Sequence, residues 1–156
     1  MITFHPNLSL LMIGRGILGS GITNASAITI YGGAQPLVSD ILANWTSYDS
    51  TSVNFLAHYS GCAWTHPLTN SVKFCSLTTI PAAVTPSHDG NARWCIVWTT
   101  NPLLAAMSGT IPTTSFLVGP VSNLGGLGIV KFDPDTSFTT STPKAIADGA
   151  IAANLA

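Results

Sequence analysis

Residues able to do chemistry fall into a few sets. His58, Cys62 and His66 recur every four positions, with Cys75 downstream. Imidazole and thiolate both bind zinc. That spacing converges only on a helix, and Gly61, Thr65 and Pro67 interrupt one. No C-x-x-C pair is present. The segment therefore reads as a loop with a buried Cys62, and no metal is expected. A Cys/His nucleophile is the second option, with Cys95 or Cys75 activated by His88 or His66. Cys95 lies between Trp94 and Trp98 in an apolar run, the setting of a buried thiol. Paired-carboxylate chemistry has only Asp133 and Asp135 to draw on. These flank Pro134 as turn residues and lack the oxygen-rich spacing of a calcium loop. No catalytic residue is assigned, and no enzyme activity is expected.

Gly14-Arg15-Gly16-Ile17-Leu18-Gly19 matches the G-x-G-x-x-G pattern that lets backbone approach a pyrophosphate. A dinucleotide site also needs a helix directly after the glycines. Gly19, Gly21, Thr23, Asn24 and Ser26 interrupt it, and the strand-like Ile28–Ile30 arrives too soon. No cofactor is expected. Trp94 and Trp98 share a period-2 face with Ile96 and read as core. Trp45 and Trp64 stand in polar, loop-like settings. They and Tyr48 are candidates for a contact surface, able to stack on sugars if exposed.

The elements that would position these residues follow from composition. Of 156 residues, 7% are charged, against roughly 25% in an average soluble protein. All six acids are aspartate, and no two bases lie closer than thirteen positions, Lys131 and Lys144. Phosphate neutralisation needs clustered bases, so nucleic acid is not an expected partner. With 46% hydrophobic residues the chain should collapse rather than stay disordered. A helical bundle would need Glu, Lys, Gln and Arg for its outer faces, and these are scarce. No apolar run reaches the 18–20 residues or so of a membrane helix, and no basic region precedes Leu8–Ile13, so neither membrane nor secretion is expected. Cys62 and Cys75 could pair, but spacing alone does not require it; three reduced, buried thiols are the expectation.

Strand signals recur between Gly, Pro and Asn breaks. They fall at Ala27–Tyr31, Ser52–Tyr59, Ser71–Leu77, Ala92–Thr99, Ser115–Val118 and Leu127–Phe132. On Ser52–Tyr59, strict alternation sets Val53, Phe55 and Ala57 against Asn54, Leu56 and His58. A helical turn is expected near Leu37–Ala43, and an apolar segment runs from Ala145 to Leu155. The expected fold is all-β, an antiparallel sandwich or jelly-roll-like barrel with a short N-terminal helix or arm. Residues 1–24 form that arm or helix, and 25–156 a single β-rich domain. The apolar arm residues Leu10, Leu11, Ile13 and Ile17 either order on docking to a partner or pack on the chain's own sheet.

Ala27-Ile28-Thr29-Ile30-Tyr31-Gly32-Gly33-Ala34-Gln35-Pro36 resembles a stretch common in small tailed-phage virion proteins. There, a strand ending Ile-Tyr-Ser/Asp-Gly-x-Gln/Arg-Pro precedes a polar segment and a second strand. Gly90-Asn91-Ala92-Arg93-Trp94 looks like that family's Gly-x-Ala-x-Trp strand, and Gly119 to Val130 like its glycine-rich stretch. This chain departs from the pattern after Pro36, where the Ala/Asp-rich run is missing and the second strand comes later, at Val53–Tyr59. The resemblance implies a structural virion protein without catalytic residues. The leading expectation is a capsid decoration (cement) protein. Its partners would be the major capsid protein or other virion subunits, and further copies of itself, as in a trimer. The alternative is a tail-located module binding host surface glycans. The contact residues expected on either reading are Leu10, Leu11, Ile13, Ile17, Trp45, Tyr48 and Trp64.

Overall fold

A computed structural model describes residues 3–4, 26–65, 73–114 and 116–152. In chain order the elements are β1 (Thr3–Phe4), β2 (Ser26–Tyr31), α1 (Val38–Ala43), a 3₁₀ turn at Trp45–Ser47, β3 (Phe55–Thr65) and β4 (Lys73–Thr79). Then come β5 (Gly90–Asn91), β6 (Trp94–Trp98), a 3₁₀ turn at Leu104–Met107, β7 (Phe116–Asn123), β8 (Val130–Phe132), β9 (Ser137–Phe138) and β10 (Asp148–Ala152). The fold is all-β, as composition and strand spacing imply.

Neighbouring strands run β1-β7-β6-β2-β3-β4-β10-β8, and β8 pairs back onto β7. The seven strands from β7 round to β8 therefore close into a barrel, which removes exposed sheet edges. The closing seam between β7 and β8 is parallel, whereas the other pairings around the ring are antiparallel. β7 shares one edge between two partners. β1 meets it at Leu117 and Val118, and β8 at Val121 to Asn123. Pro120 lies at the changeover. Val121 N–H donates to Arg93 on the β6 side (2.9 Å), so alternation turns the hydrogen-less nitrogen of Pro120 to the other edge, into the gap between the two partners. This is why β7 runs through Gly119 and Pro120 instead of ending at Val118.

Two cores lie on opposite faces of the sheet. The barrel interior holds Ile28 and Ile30 of β2, Cys95 and Val97 of β6, Leu117 and Val121 of β7, and Val130 and Phe132 of β8. The outer core holds the alternate residues: Ala27 and Tyr31, then Trp94, Ile96 and Trp98, then Phe116 and Val118. Val38 and Ile41 of α1, Trp45 and Met107 cover it. β2 and β6 are thus buried on both faces along their whole length. The period-2 assignment of β6 holds: Trp94, Ile96 and Trp98 share one core and Cys95 and Val97 the other.

β3 departs from strict alternation. Tyr31 faces Phe55 and Ile30 faces Ala57, leaving Leu56 as an extra residue. That bulge puts Phe55 in the outer core but Leu56 and Ala57 together in the interior. A second bulge falls at Gly61, between Ser60 and Cys62, where φ is +75°. The expected face set of Val53, Phe55 and Ala57 is therefore broken. Val53 lies in the turn before the strand and is exposed, while Phe55 and Ala57 part to different cores. Of the expected N-terminal arm, residues 1–2 and 5–24 lie outside the described residues. Among the described residues no helix is long and apolar enough to cross a membrane.

Candidate functional site

The expected contact residues separate sharply. Trp45 and Trp64 are buried, at 5% and 3% exposure, so neither offers a stacking surface. Trp45 belongs to the layer over the outer core: its indole N–H donates to the Met107 carbonyl (3.1 Å) and its ring meets Trp98 edge-on. Trp64 is a β3 residue of the interior core. Both were expected outside because their sequence neighbours are polar; a single indole in a polar stretch is what anchors a covering segment to its core. Tyr48 is half-buried, and its hydroxyl donates to the Asp40 carboxylate. Burial and that bond push its pKa up to about 12. Leu10, Leu11, Ile13 and Ile17 lie outside the described residues, as do His66 and the Gly14–Gly19 motif.

His58 and Cys62 do not converge. The Gly61 bulge turns Cys62 into the barrel interior, while His58 faces the outer layer. Among the described residues no three His, Cys or Asp side chains group as metal ligands. Cys62 and Cys95 are unbonded and buried. Burial pushes the Cys62 thiol up to about 12 and Cys95 higher still, so both stay protonated near neutrality. His88, the proposed activator, donates from Nδ1 to the Phe55 carbonyl (2.9 Å). Asp135 accepts from Ser137 N–H (2.9 Å) and pairs with Lys144 (3.1 Å), a turn-closing role.

His58 instead ends a polar chain. Trp98 N–H donates to Thr29 Oγ1 (2.8 Å). The Thr29 hydroxyl then donates to His58 Nδ1 (3.0 Å), and Nε2–H donates to Asn101 (3.2 Å). This chain needs neutral imidazole, since the protonated ring cannot accept from Thr29. Burial lowers the His58 pKa from 6.5, against smaller opposing effects of the Asn101 and Pro102 hydrogen bonds. The folded pKa lies below the unfolded one, so the unfolded chain takes up protons first as pH falls. His58 contributes fully above about pH 6.5, and its contribution is lost as pH falls from there through the folded pKa. Thermal melts from pH 7 to 5 should therefore show a falling Tm that flattens in His58→Gln, which keeps a donor near the Nε2 position and does not titrate. Parallel curves for the two proteins would refute this role.

Asp49, 3% exposed, organises the covering layer. Its carboxylate accepts from Thr51 N–H (2.9 Å), Thr51 hydroxyl (2.6 Å) and Gly109 N–H (2.8 Å), joining the segment after α1 to the loop after β6. Burial alone would raise its pKa, but these bonds outweigh it and hold the group below the usual range.

Two surface features stand out. Four exposed leucines lie on the covering layer: Leu37 (65%) and Leu42 around α1, Leu103 (73%) and Leu104 at the second 3₁₀ turn. Leu124 and Leu127 (97%) add a second exposed pair, in the loop closing the parallel seam. The other feature is polar. Directly before β6, Arg93 lines two adjoining depressions of about 310 Å³ each. In the sequence Arg93 belongs to the strand signal Ala92–Thr99, with no mark of a role. The leucines carry no periodic signal, because Leu42 and Leu104 lie in elements of six and four residues, too short to show one, and the others lie in loops.

No family model, curated protein or solved structure matches the chain.

Proposed function

We propose that this chain is a structural protein of a tailed-phage particle, a capsid decoration (cement) protein that binds the major capsid protein and stabilises the head. The observation that carries the reading is the set of exposed leucines on the covering layer of a chain with 7% charged residues. Such a surface can be buried against neighbours without stripping water from many ions. Fully covering a leucine returns about 1.5–3 kcal/mol. The four leucines are 37–73% exposed and together equal little more than two full ones, so covering them returns about 3–7 kcal/mol, at the low end of the roughly 4–15 kcal/mol that association costs. One copy would bind a capsid weakly, and linked copies would bind firmly through effective concentration. A homo-oligomer such as a trimer supplies that linkage. The virion-like segment Ala27 to Pro36 supports the same reading: it spans β2, buried on both faces, and the turn that leads to α1.

The tail-located glycan reading drew its stacking platform from Trp45, Trp64 and Tyr48, and burial of the two indoles withdraws that support. The test is quantitative mass spectrometry of purified particles, followed by rebinding to stripped capsids. The reading expects a copy number near that of the capsid subunit. It also expects Leu103→Asp/Leu104→Asp to lose rebinding while keeping its Tm within a few degrees. A few copies confined to the tail, or full rebinding by the double variant, would overturn it.

A further inference from the structure

The Arg93 end of the barrel carries an inference of its own, independent of where in a particle the chain resides. Arg93 is held by its backbone on both sides: its N–H donates to Tyr31 and its carbonyl accepts from Val121, each at 2.9 Å. The root of the side chain is therefore fixed by β2 and β7, while the side chain is exposed. None of the six aspartates is within ion-pair distance of it; the ion pair among the described residues is Lys144–Asp135. The two acids that border the depressions are engaged elsewhere. Asp89 accepts from Thr140 N–H (2.6 Å), and Asp135 holds Lys144. An unpaired guanidinium on a rigid base, between two hollows, is a receptor for a carboxylate.

The rest of the lining narrows the ligand. One hollow is lined by Gly32, Gly33, Asn54 and Asn91, with the exposed Val53 beside them. The other is lined by Ser122, Asn123 and Thr136 beside Asp135. The Asn54 and Asn123 amides, which both donate and accept, suit vicinal hydroxyl groups, and Val53, 74% exposed, offers an aliphatic surface to the C–H face of a sugar ring. A volume of about 310 Å³ is at the small end of ligand pockets, the size for one ring in each hollow. One cation flanked by two aspartates does not suit a polyphosphate or nucleic acid. We propose that this mouth binds an acidic glycan, one sugar ring in each hollow, with a uronate carboxylate on Arg93.

Digalacturonate and its methyl ester are the probes, titrated into the ¹⁵N-labelled full chain. Digalacturonate is expected to shift the amides of Gly33, Asn91, Ser122 and Asn123 at millimolar concentrations. The ester, with the same rings but no charge, should bind at least about tenfold more weakly, the value of a charge-assisted hydrogen bond. Arg93→Gln should show the same loss with an unchanged Tm. Arg93→Lys, which keeps the charge but not the two-pronged donor, should fall between them and guards against a folding defect in the first variant. Asn54→Ala should weaken digalacturonate but leave acetate binding unaltered. Equal affinity for acid and ester, wild-type binding by Arg93→Gln, or no shifts at about 10 mM ligand would overturn the proposal. So would tighter binding of a short peptide through its C-terminal carboxylate at the same amides.

Discussion

Gly128→Ala should destabilise the protein by roughly 3 kcal/mol, a fall in Tm of about 6–12 °C for a chain of this size. A β-carbon at Gly128 would lie 2.4 Å from the Ser122 nitrogen and 2.7 Å from the Val121 carbonyl carbon. Both are backbone atoms of β7, so no rotamer change relieves the overlap. The loop and the strand must part. What they hold together is the parallel seam. Gly128 N–H donates to Ser122 Oγ (2.9 Å), Ile129 N–H donates to Pro120 (2.8 Å), and Val121 then registers with Val130. Separation at this point opens the ring and exposes Ile129, Val130 and Phe132 of the interior core. Gly125→Ala is the matched control. Its β-carbon would meet only Asn123 Oδ1, at 3.8 Å, an ordinary contact. Urea unfolding of both variants checks the argument, with hydrogen exchange at Ile129 and Val130 to locate the damage. If Gly128→Ala unfolds within about 0.5 kcal/mol of the parent, the seam is not what closes the barrel.

The glycine-rich loop marks the limit of what the sequence made legible. Gly125 and Gly126 mark a break before the expected strand Leu127–Phe132, but not that Gly128 lies in the loop or that the strand returns parallel to β7. Local spacing reports turns; closure depends on partners far apart in sequence. Where one physical cause dominated, the reading was sound. β6 alternates two kinds of apolar residue, and its faces could be assigned from period 2 alone. α1 falls within the expected Leu37–Ala43, with Val38 and Ile41 three apart on its buried side. β3 misled because its two bulges reset the alternation at Leu56 and Gly61. A polar glycine context hides a bulge inside what looks like a loop. The tryptophans misled for a different reason. Alternation tells which residues share a face, but not that a second layer covers the outward one. The polar neighbours of Trp45 and Trp64 point outward, although Trp45 anchors the covering layer and Trp64 belongs to β3 and the interior core. The leucines and Arg93 followed the opposite course. Hydropathy assigns leucine to a core, and only the placement of Leu37, Leu103 and Leu127 reveals them as surface.

Trp98→Ala should cost about 4 kcal/mol, within the range for deleting a buried aromatic ring, and, on the proposed function, should remove capsid rebinding as well. Trp98 is fully buried at the centre of the outer core. Trp45 meets it edge-on at 5.8 Å and Phe116 at 5.1 Å, while its N–H satisfies the buried Thr29 hydroxyl. Trp45 in turn fixes the Met107 carbonyl at the end of the 3₁₀ turn that presents Leu104, with Leu103 just before it. Deleting the ring therefore removes the support beneath the exposed Leu103 and Leu104. Trp98→Phe separates the two contributions. It keeps most of the ring and loses the donor to Thr29, a smaller loss of about 1 kcal/mol, so it should still rebind capsids. Leu103→Asp/Leu104→Asp gives the converse, lost binding with retained stability. The form of the Trp98→Ala transition carries a further consequence. β2 and β6 contribute to both cores through alternate residues, so neither core can melt while the other keeps its strands. Near-UV circular dichroism, reporting the tryptophans, and far-UV circular dichroism, reporting the strands, should give one coincident transition at a lower midpoint. Loss of the near-UV signal well ahead of the strands would mean that the covering layer folds as a separate unit, and that docking could order it.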